Sequence, residues 1–229
     1  MPIKELMIQL NYKCNLNCIH CSYGDIDSTA EAPVERAKAF LRQHPSAELI
    51  KLSGGEPTLA ANFHTIAALG KATGAKLVCF SNGLGTTDPN VDAYWVSVYG
   101  NKEWHAHITR SDQYENAIAF IRHNNVEYLN SPIFSEQQIV SLIQLGDHLG
   151  IPLRITRLLP HGIPHETLSL SEQQQIVRKY SLNSEPNHVT CSLGFEPSKC
   201  NIKACLKPDG TEIACTAQIR GLKCPFWKT

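Results

Sequence analysis

Three cysteines stand close together near the start of the chain, with a spacing that suits an iron–sulfur cluster. Cys14, Cys18 and Cys21 form a CxxxCxxC directly after the apolar run IQLNY. Three thiolates can bind three irons of a [4Fe–4S] cube, and no fourth cysteine lies nearby. The fourth iron is then open to hold a substrate, whereas a cluster closed by four cysteines only transfers electrons. A structural zinc site and buried thiols are the alternatives.

A second motif strengthens the first. The segment KLSGGEPTL contains Gly54, Gly55, Glu56 and Pro57 at the end of a strand-like run. CxxxCxxC on the loop after a first strand, followed by GGEP, resembles the radical S-adenosylmethionine (SAM) enzymes. The resemblance implies that the open iron chelates the amino and carboxylate groups of SAM. It also implies that reductive cleavage of SAM gives a 5′-deoxyadenosyl radical, which abstracts a hydrogen atom from the substrate.

The same resemblance implies a set of SAM contacts. His20, just before the last cysteine of the triad, is expected near the adenine, and the GGEP turn is expected to accept hydrogen bonds from the methionine ammonium. Arg157 is expected at the SAM carboxylate, because a guanidinium suits that group. Polar residues at the ends of other strands complete the expected set, namely Ser81, Asn82, Ser97 and Asn130. Capping a strand end or filling the barrel mouth is the alternative for each of these single residues.

The C-terminal segment is rich in cysteine and carries its own pattern. Nine residues separate Cys200 from Gly210 and four separate Gly210 from Cys215. This spacing resembles the hairpin that opens the SPASM and twitch extensions of radical SAM enzymes, which hold auxiliary [4Fe–4S] clusters. The resemblance implies one auxiliary cluster, with Cys200, Cys205, Cys215 and Cys224 as ligands and Cys191 spare or exchanged for one of them. Zinc is less expected, because the segment has no paired CxxC knuckles.

The elements that must position these residues alternate between strand and helix. Strand-like runs occupy 5–10, 48–53, 76–81, 94–99, 126–131 and 153–159, with amphipathic helical patterns between most of them. Six such units predict an α/β fold, a partial (β/α)6 TIM-like barrel with its active site at the carboxyl ends of the strands. A polar stretch after Ser181 predicts a boundary, giving a barrel over 1–181 and a small irregular cysteine-rich extension over 182–229.

Smaller patterns give further expectations. Ser135 with Gln138, and Ser171 with Gln174, predict capping boxes at the starts of two helices. His105 and His107 would point the same way on a strand, which suits a metal pair. The nearest carboxylate is Glu103, however, so surface or substrate-pocket histidines are the preferred interpretation.

Composition constrains the class of partner. The 229 residues carry 21 basic and 21 acidic side chains, so charge gives no reason to expect an obligate nucleic-acid or membrane partner. The first residues lack the pattern of an export signal, and nine cysteines then indicate a reducing cytoplasm and metal binding. The triad begins at residue 14, so the sequence predicts no N-terminal module for gripping a leader peptide.

The leading hypothesis for function is a radical SAM enzyme that oxidises or crosslinks a peptide or protein, with a flavodoxin- or ferredoxin-type electron donor. A small-molecule dehydrogenase or carbon-skeleton enzyme is one alternative. A glycyl-radical activating enzyme is a second, and an iron–sulfur electron carrier is the non-enzyme alternative. No single residue is predicted as a catalytic acid or base, because the cofactor supplies the chemistry.

Overall fold

The computed structural model describes residues 4–21, 23, 29–156, 168–182 and 202–213. In these residues, six parallel strands follow one another across the sheet in chain order. Their bounds are β1 Glu5–Gln9, β2 Leu49–Ser53, β3 Lys76–Ser81, β4 Ala93–Ser97, β5 Val126–Pro132 and β6 Leu153–Thr156. The predicted parallel α/β sheet is confirmed. Strands β6 and β8 form its two described edges, so the sheet is open.

Helices cover one face of this sheet. They are α1 Val34–Gln43, α2 Phe63–Lys71, α3 Lys102–Thr109, α4 Tyr114–His123, α5 Glu136–Leu149 and α6 Leu170–Lys179. The main core lies between the two layers and contains alternate strand residues such as Ile8, Ile50 and Leu129, all fully buried. Helix α1 packs on the sheet through one apolar face, because its buried residues Ala37, Phe40 and Leu41 fall on one side of the helix.

The described part of the C-terminal segment continues the sheet. Strand β7 (Ile202–Leu206) pairs in parallel with β1, and β8 (Glu212–Ile213) pairs with β7 in an antiparallel hairpin. Arg36 of α1 donates to the Gly210 carbonyl in the turn of the hairpin, at 3.1 Å. This part of the extension is therefore regular, although an irregular segment was expected. The boundary at residue 181 stays a prediction.

Helix α3 was not predicted, and the start of helix α6 was predicted two residues too late. Residues Lys102–Thr109 form helix α3, which begins at Asn101, whose side chain accepts from the Trp104 N–H. Two residues apart on a helix point to different sides, so His105 is buried while His107 is exposed, and they form no metal pair. Helix α6 begins with a capping box at Ser169 and Glu172, two residues before the predicted one.

A helix long and apolar enough to cross a membrane does not occur among the described residues.

Candidate iron–sulfur and SAM site

The cysteine triad lies on the loop that leaves the carboxyl end of β1. Cys14, Cys18 and Cys21 are all half-buried. The Leu16 N–H donates to the Cys14 sulfur at 3.4 Å, and the Cys21 N–H donates to the Cys18 carbonyl at 3.0 Å. Ile19 anchors the middle of the loop by donating its N–H to the carbonyl of Ile108 in α3, at 2.9 Å. The three thiols thus stand on one short, internally bonded loop.

The electrostatics of the thiols show that they lie close to one another. Burial, and to a lesser degree the nearby thiols of Cys14 and Cys21, raise the pKa of Cys18 to about 12. A hydrogen bond with Tyr99 acts in the opposite direction and lowers this pKa. Burial likewise raises the pKa of Cys14, although the Leu16 N–H opposes it. Without a cation the thiols of Cys14 and Cys18 therefore stay protonated at neutral pH, and bound iron would reverse this by its own charge.

The donor set fits an iron–sulfur cube better than a single ion. The described residues contain no group of three or more metal-binding side chains arranged around one ion. Each cysteine of a [4Fe–4S] cluster binds a different iron, so its three thiols must surround a cube and need not converge on a point. Three neighbouring thiols on one loop meet that requirement, whereas a closed zinc site needs four ligands around one ion.

The GGEP loop packs directly against the start of the cysteine loop. The Gly55 N–H donates to the Asn11 carbonyl at 3.0 Å, and the Glu56 N–H donates to the Lys13 carbonyl at 2.8 Å. A Cβ on Gly54 would lie 2.4 Å from the Asn11 oxygen, and one on Gly55 would lie 2.3 Å from the Lys13 oxygen. The glycines were predicted to let the backbone approach a ligand. In the structure the close approach is to the chain's own backbone.

Glu56 joins the GGEP loop to the end of β3. Its fully buried carboxylate accepts from the Thr58 hydroxyl at 2.7 Å, the Ser81 hydroxyl at 3.1 Å and the Asn82 N–H at 2.7 Å. Burial raises the pKa of Glu56, although these hydrogen bonds oppose the rise. Glu56 and Ser81, both predicted as SAM contacts, therefore have partners within the protein, and Pro57 begins the short 3-10 turn that follows.

Asn82 reaches the cysteine loop from β3. Its amide nitrogen donates to the Asn15 side chain at 2.7 Å and lies 3.8 Å from the Cys14 sulfur. Its amide oxygen accepts from the Leu84 N–H at 2.9 Å. The structure thus brings together the cysteine loop, the GGEP loop and Asn82.

An aromatic cluster borders the triad on the side of β4 and β5. The His20 ring packs edge-on against Tyr99 and Phe134, with centroids 5.4 and 5.2 Å apart. The Tyr99 hydroxyl lies 3.4 Å from His20 Nε2 and also hydrogen-bonds the Cys18 sulfur. Tyr99 and Phe134 were not predicted. Both follow strand ends, the position that this fold uses for its site.

Ser97 and Asn130 are register partners on β4 and β5. The Asn130 side-chain oxygen accepts from Arg154 Nη1 at 2.8 Å, across the β5–β6 pair. Sequence reasoning missed Arg154 and favoured Arg157, which lies outside the described residues. The signal for Arg154 was weak, since it is a single polar residue in the short strand LRIT.

Of the expected auxiliary ligands, only Cys205 is described. It lies fully buried on β7, in register with Met7 of β1. Cys200, Cys215 and Cys224 lie outside the described residues, as does Cys191, so the auxiliary cluster stays a prediction.

Sequence comparison finds relatives over a quarter to a third of the chain. A probable GTP 3′,8-cyclase of Methanocella arvoryzae is 40% identical over 67 residues, which is 28% of this chain and 22% of the relative. An AdoMet-dependent heme synthase of Methanosarcina barkeri is 34% identical over 79 residues, 33% of this chain and 23% of the relative. The matched part thus spans under a quarter of the length of each relative. No protein-family model matches the chain.

Solved structures share the fold over nearly the whole chain. SuiB of Streptococcus suis bound to S-adenosylmethionine superposes with a TM-score of 0.74 at 15% identity, covering 95% of this chain and 61% of that one. The anSMEcpe enzyme with bound AdoMet and the Kp18Cys peptide gives 0.65 at 16% identity, covering 94% and 75%.

An open parallel sheet with a cysteine triad at the end of β1, docked against a GGEP loop, is the arrangement that the resemblance to radical SAM enzymes implies. The fold agrees with that resemblance, since SuiB and anSMEcpe share it.

Proposed function

We propose that this chain uses radical SAM chemistry to oxidise or crosslink a peptide or protein. The observation that carries the proposal is the packing of the cysteine loop against the GGEP loop and Asn82 at the mouth of the sheet. When bound there, a [4Fe–4S] cluster with SAM supplies reductive cleavage of SAM and abstraction of a substrate hydrogen atom.

The residues of the chain would hold and orient these groups. Cys14, Cys18 and Cys21 would bind three irons, and the Tyr99 hydroxyl and the Asn82 amide would donate to two of the thiolates. Hydrogen bonds to a charged sulfur stabilise that charge, so both contacts favour the ligating form. His20 would border the adenine with Tyr99 and Phe134, and the GGEP backbone and Ser97 would contact the methionine part and the ribose.

A peptide substrate is supported by the structural neighbours. SuiB has been solved with the precursor peptide SuiA, and anSMEcpe has been solved with Kp18Cys and Cp18Cys peptides. A small-molecule substrate is the second proposal, supported by the sequence relatives, whose names describe a GTP cyclase, an Fe-coproporphyrin III synthase and a heme synthase. For either substrate, we propose a flavodoxin- or ferredoxin-type electron donor and a cytoplasmic location.

The cluster assignment is tested by anaerobic reconstitution, followed by an assay of 5′-deoxyadenosine formation from SAM with dithionite. Cys18→Ala should abolish this product, because one iron loses its thiolate. Cys79→Ala is the matched control, since Cys79 is a fully buried cysteine of β3 outside the triad. The control should keep the product, and product formation by Cys18→Ala would refute the assignment.

The auxiliary cluster is tested by the iron content of the same reconstituted protein. About eight irons are expected for two [4Fe–4S] clusters, and the double variant Cys205→Ala, Cys215→Ala should fall to about four. An iron content that is unchanged in the double variant would exclude the auxiliary cluster and remove the argument for an oxidative reaction.

A further inference from the structure

The second face of the sheet, opposite the helices, carries the alternate strand residues that do not point into the main core. Val78, Trp95, Phe80 and Tyr128 pack together there, as a small cluster separate from the main core. Strand register places Arg154 on the same face. Phe80 pairs with Trp95, and Trp95 pairs with Tyr128. Asn130, two residues after Tyr128 and therefore on the same face of β5, pairs with Arg154. We call this surface the lumen face.

Charged side chains are buried on the lumen face. Lys51 of β2 is 4% exposed, and its ammonium lies 2.5 Å from the Glu5 carboxylate. Trp95 lies between the two cations, with Lys51 Nζ 5.2 Å from its ring centroid and Arg154 Cζ 4.8 Å from it. Arg154 also stacks on Phe80 at 5.3 Å. The aromatic rings thus hold both cations in fixed positions.

Arg154 differs from Lys51 because its charge has no acidic partner in the described part of the chain. Arg154 is 4% exposed. Among the described residues, its side chain donates from Nη1 to the Asn130 side-chain oxygen, at 2.8 Å. Within the same residues no carboxylate comes within ion-pair distance of it. A guanidinium has five N–H donors in a planar fork, so the described residues leave most of its hydrogen-bonding capacity unused. An uncompensated buried charge is costly, and a bound anion would remove that cost.

The position of Arg154 favours the substrate over SAM. Arg154 lies two residues before Thr156, the last residue of β6, and therefore one layer below the strand ends that face the cysteine loop. Burial lowers its pKa to about 10, and the largest opposing influence comes from Glu5, the first residue of β1. Glu5 lies at the end of β1 away from the cysteine loop. The guanidinium is therefore charged at neutral pH and set deeper than the mouth.

We propose that Arg154 and Asn130, stacked against Trp95 and Phe80, bind a carboxylate of the substrate on the lumen face. This rests on the proposed function and specifies its substrate: a peptide that presents an acidic side chain or a free C-terminus, or a small carboxylic acid. Asn130 orients the guanidinium through its side-chain oxygen and offers its amide nitrogen as a second donor. This gives Asn130 a different role from the SAM contact predicted from sequence.

Trp95 provides the readout for carboxylate binding. With Trp104 and Trp227 replaced by phenylalanine, Trp95 is the one tryptophan left in the full chain. Its fluorescence is followed during titration with N-acetylalanine, which carries a carboxylate. The control is a titration with N-acetylalaninamide, which has no charge, at the same ionic strength. A saturable change with the acid alone is expected. Arg154→Met should weaken it at least about tenfold, and Arg154→Lys less, because lysine keeps the charge but loses the fork.

Three outcomes would overturn the proposal. One is the absence of a saturable response to the acid, or an equal response in Arg154→Met. Another is a lower unfolding midpoint for Arg154→Met without probe, which would show that the contacts of Arg154 within the chain outweigh the cost of its buried charge; a higher midpoint is expected. The last is a similar tenfold loss of SAM affinity in reconstituted Arg154→Met, which would place the SAM carboxylate there. Failure of the wild-type protein to cleave SAM would instead refute the proposed function and leave carboxylate binding standing.

Discussion

At the scale of single residues, the site contains two buried polar side chains with opposite surroundings. Glu56 is fully buried and accepts from hydroxyl and backbone donors on two different loops. His105 of α3 is also fully buried, yet neither ring nitrogen has a hydrogen-bond partner within the described chain. Its ring instead contacts Tyr99 and Tyr114, with centroids 5.6 Å away in both cases. Glu56 therefore fixes the geometry of the site, whereas His105 contributes packing at the cost of two buried polar atoms.

His105 should make the stability of the protein depend on pH. Burial lowers the pKa of His105 to about 4, from an ordinary value near 6.5. The unfolded chain then binds a proton more readily than the folded chain. The stability of the fold is therefore complete above about pH 6.5 and falls as the pH drops towards 4, by roughly 1–3 kcal/mol.

His105→Phe removes this proton-binding site and fills the same space with a ring. We expect the free energy of unfolding of the variant to be equal or higher at pH 7, because two unpaired polar atoms are lost. We also expect its decline between pH 6.5 and 4 to be shallower than in wild type, measured by urea denaturation at each pH. His107→Phe on the exposed side of α3 is the control. A decline in His105→Phe as steep as that of the wild type would show that other groups cause it.

At the scale of elements, the cysteine loop depends on backbone contact with the GGEP loop. Gly55 does not have a positive φ, so its requirement for glycine comes from the space beside Lys13. Gly74 has the opposite requirement: its φ of +83° favours glycine, whereas an added Cβ would have nothing within 4 Å. The two glycines therefore separate a steric requirement from a conformational one.

Gly55→Ala should disrupt the docking of the two loops. We expect the reconstituted variant to lose most of its cluster absorbance and SAM cleavage, because the loop carrying Cys14 must move away from the GGEP turn. Gly74→Ala should cost only about 1–2 kcal/mol of stability through backbone strain and keep the cluster. Comparable cluster content in the two variants would show that the loops tolerate separation.

The elements also show what the sequence can predict. The six parallel strands were predicted within a few residues, because each is a short run in which apolar residues recur between helical or turn-forming segments. Helix α3 was missed, because KEWHAHIT carries only a weak apolar face and its cap at Asn101 lies outside the apolar pattern. The triad and GGEP were visible as spacings along the chain. Tyr99 and Arg154 were not, since their importance comes from strand register and side-chain contacts that a single sequence does not contain.

At the scale of the whole molecule, β1 occupies a central position. It lies between β2 and β7, so the strand that carries the cysteine loop is bonded on one side to the barrel and on the other to the C-terminal hairpin. Leu206 of β7 is fully buried and belongs to the same core as Leu129 of β5. The hairpin and the barrel therefore share apolar contacts as well as a sheet, which predicts that they unfold together.

Leu206→Ala tests this shared cooperativity, with Leu129→Ala as its match within the barrel. Both substitutions remove a fully buried leucine side chain, so each should lower the free energy of unfolding by about 2–5 kcal/mol. If the hairpin is part of one cooperative unit, both variants will unfold in a single urea transition followed by far-UV circular dichroism. A Leu206→Ala variant whose main transition matches that of the wild type, while Leu129→Ala is shifted, would show that the hairpin opens independently. The strand that carries the cysteine loop would then be held by β2 alone.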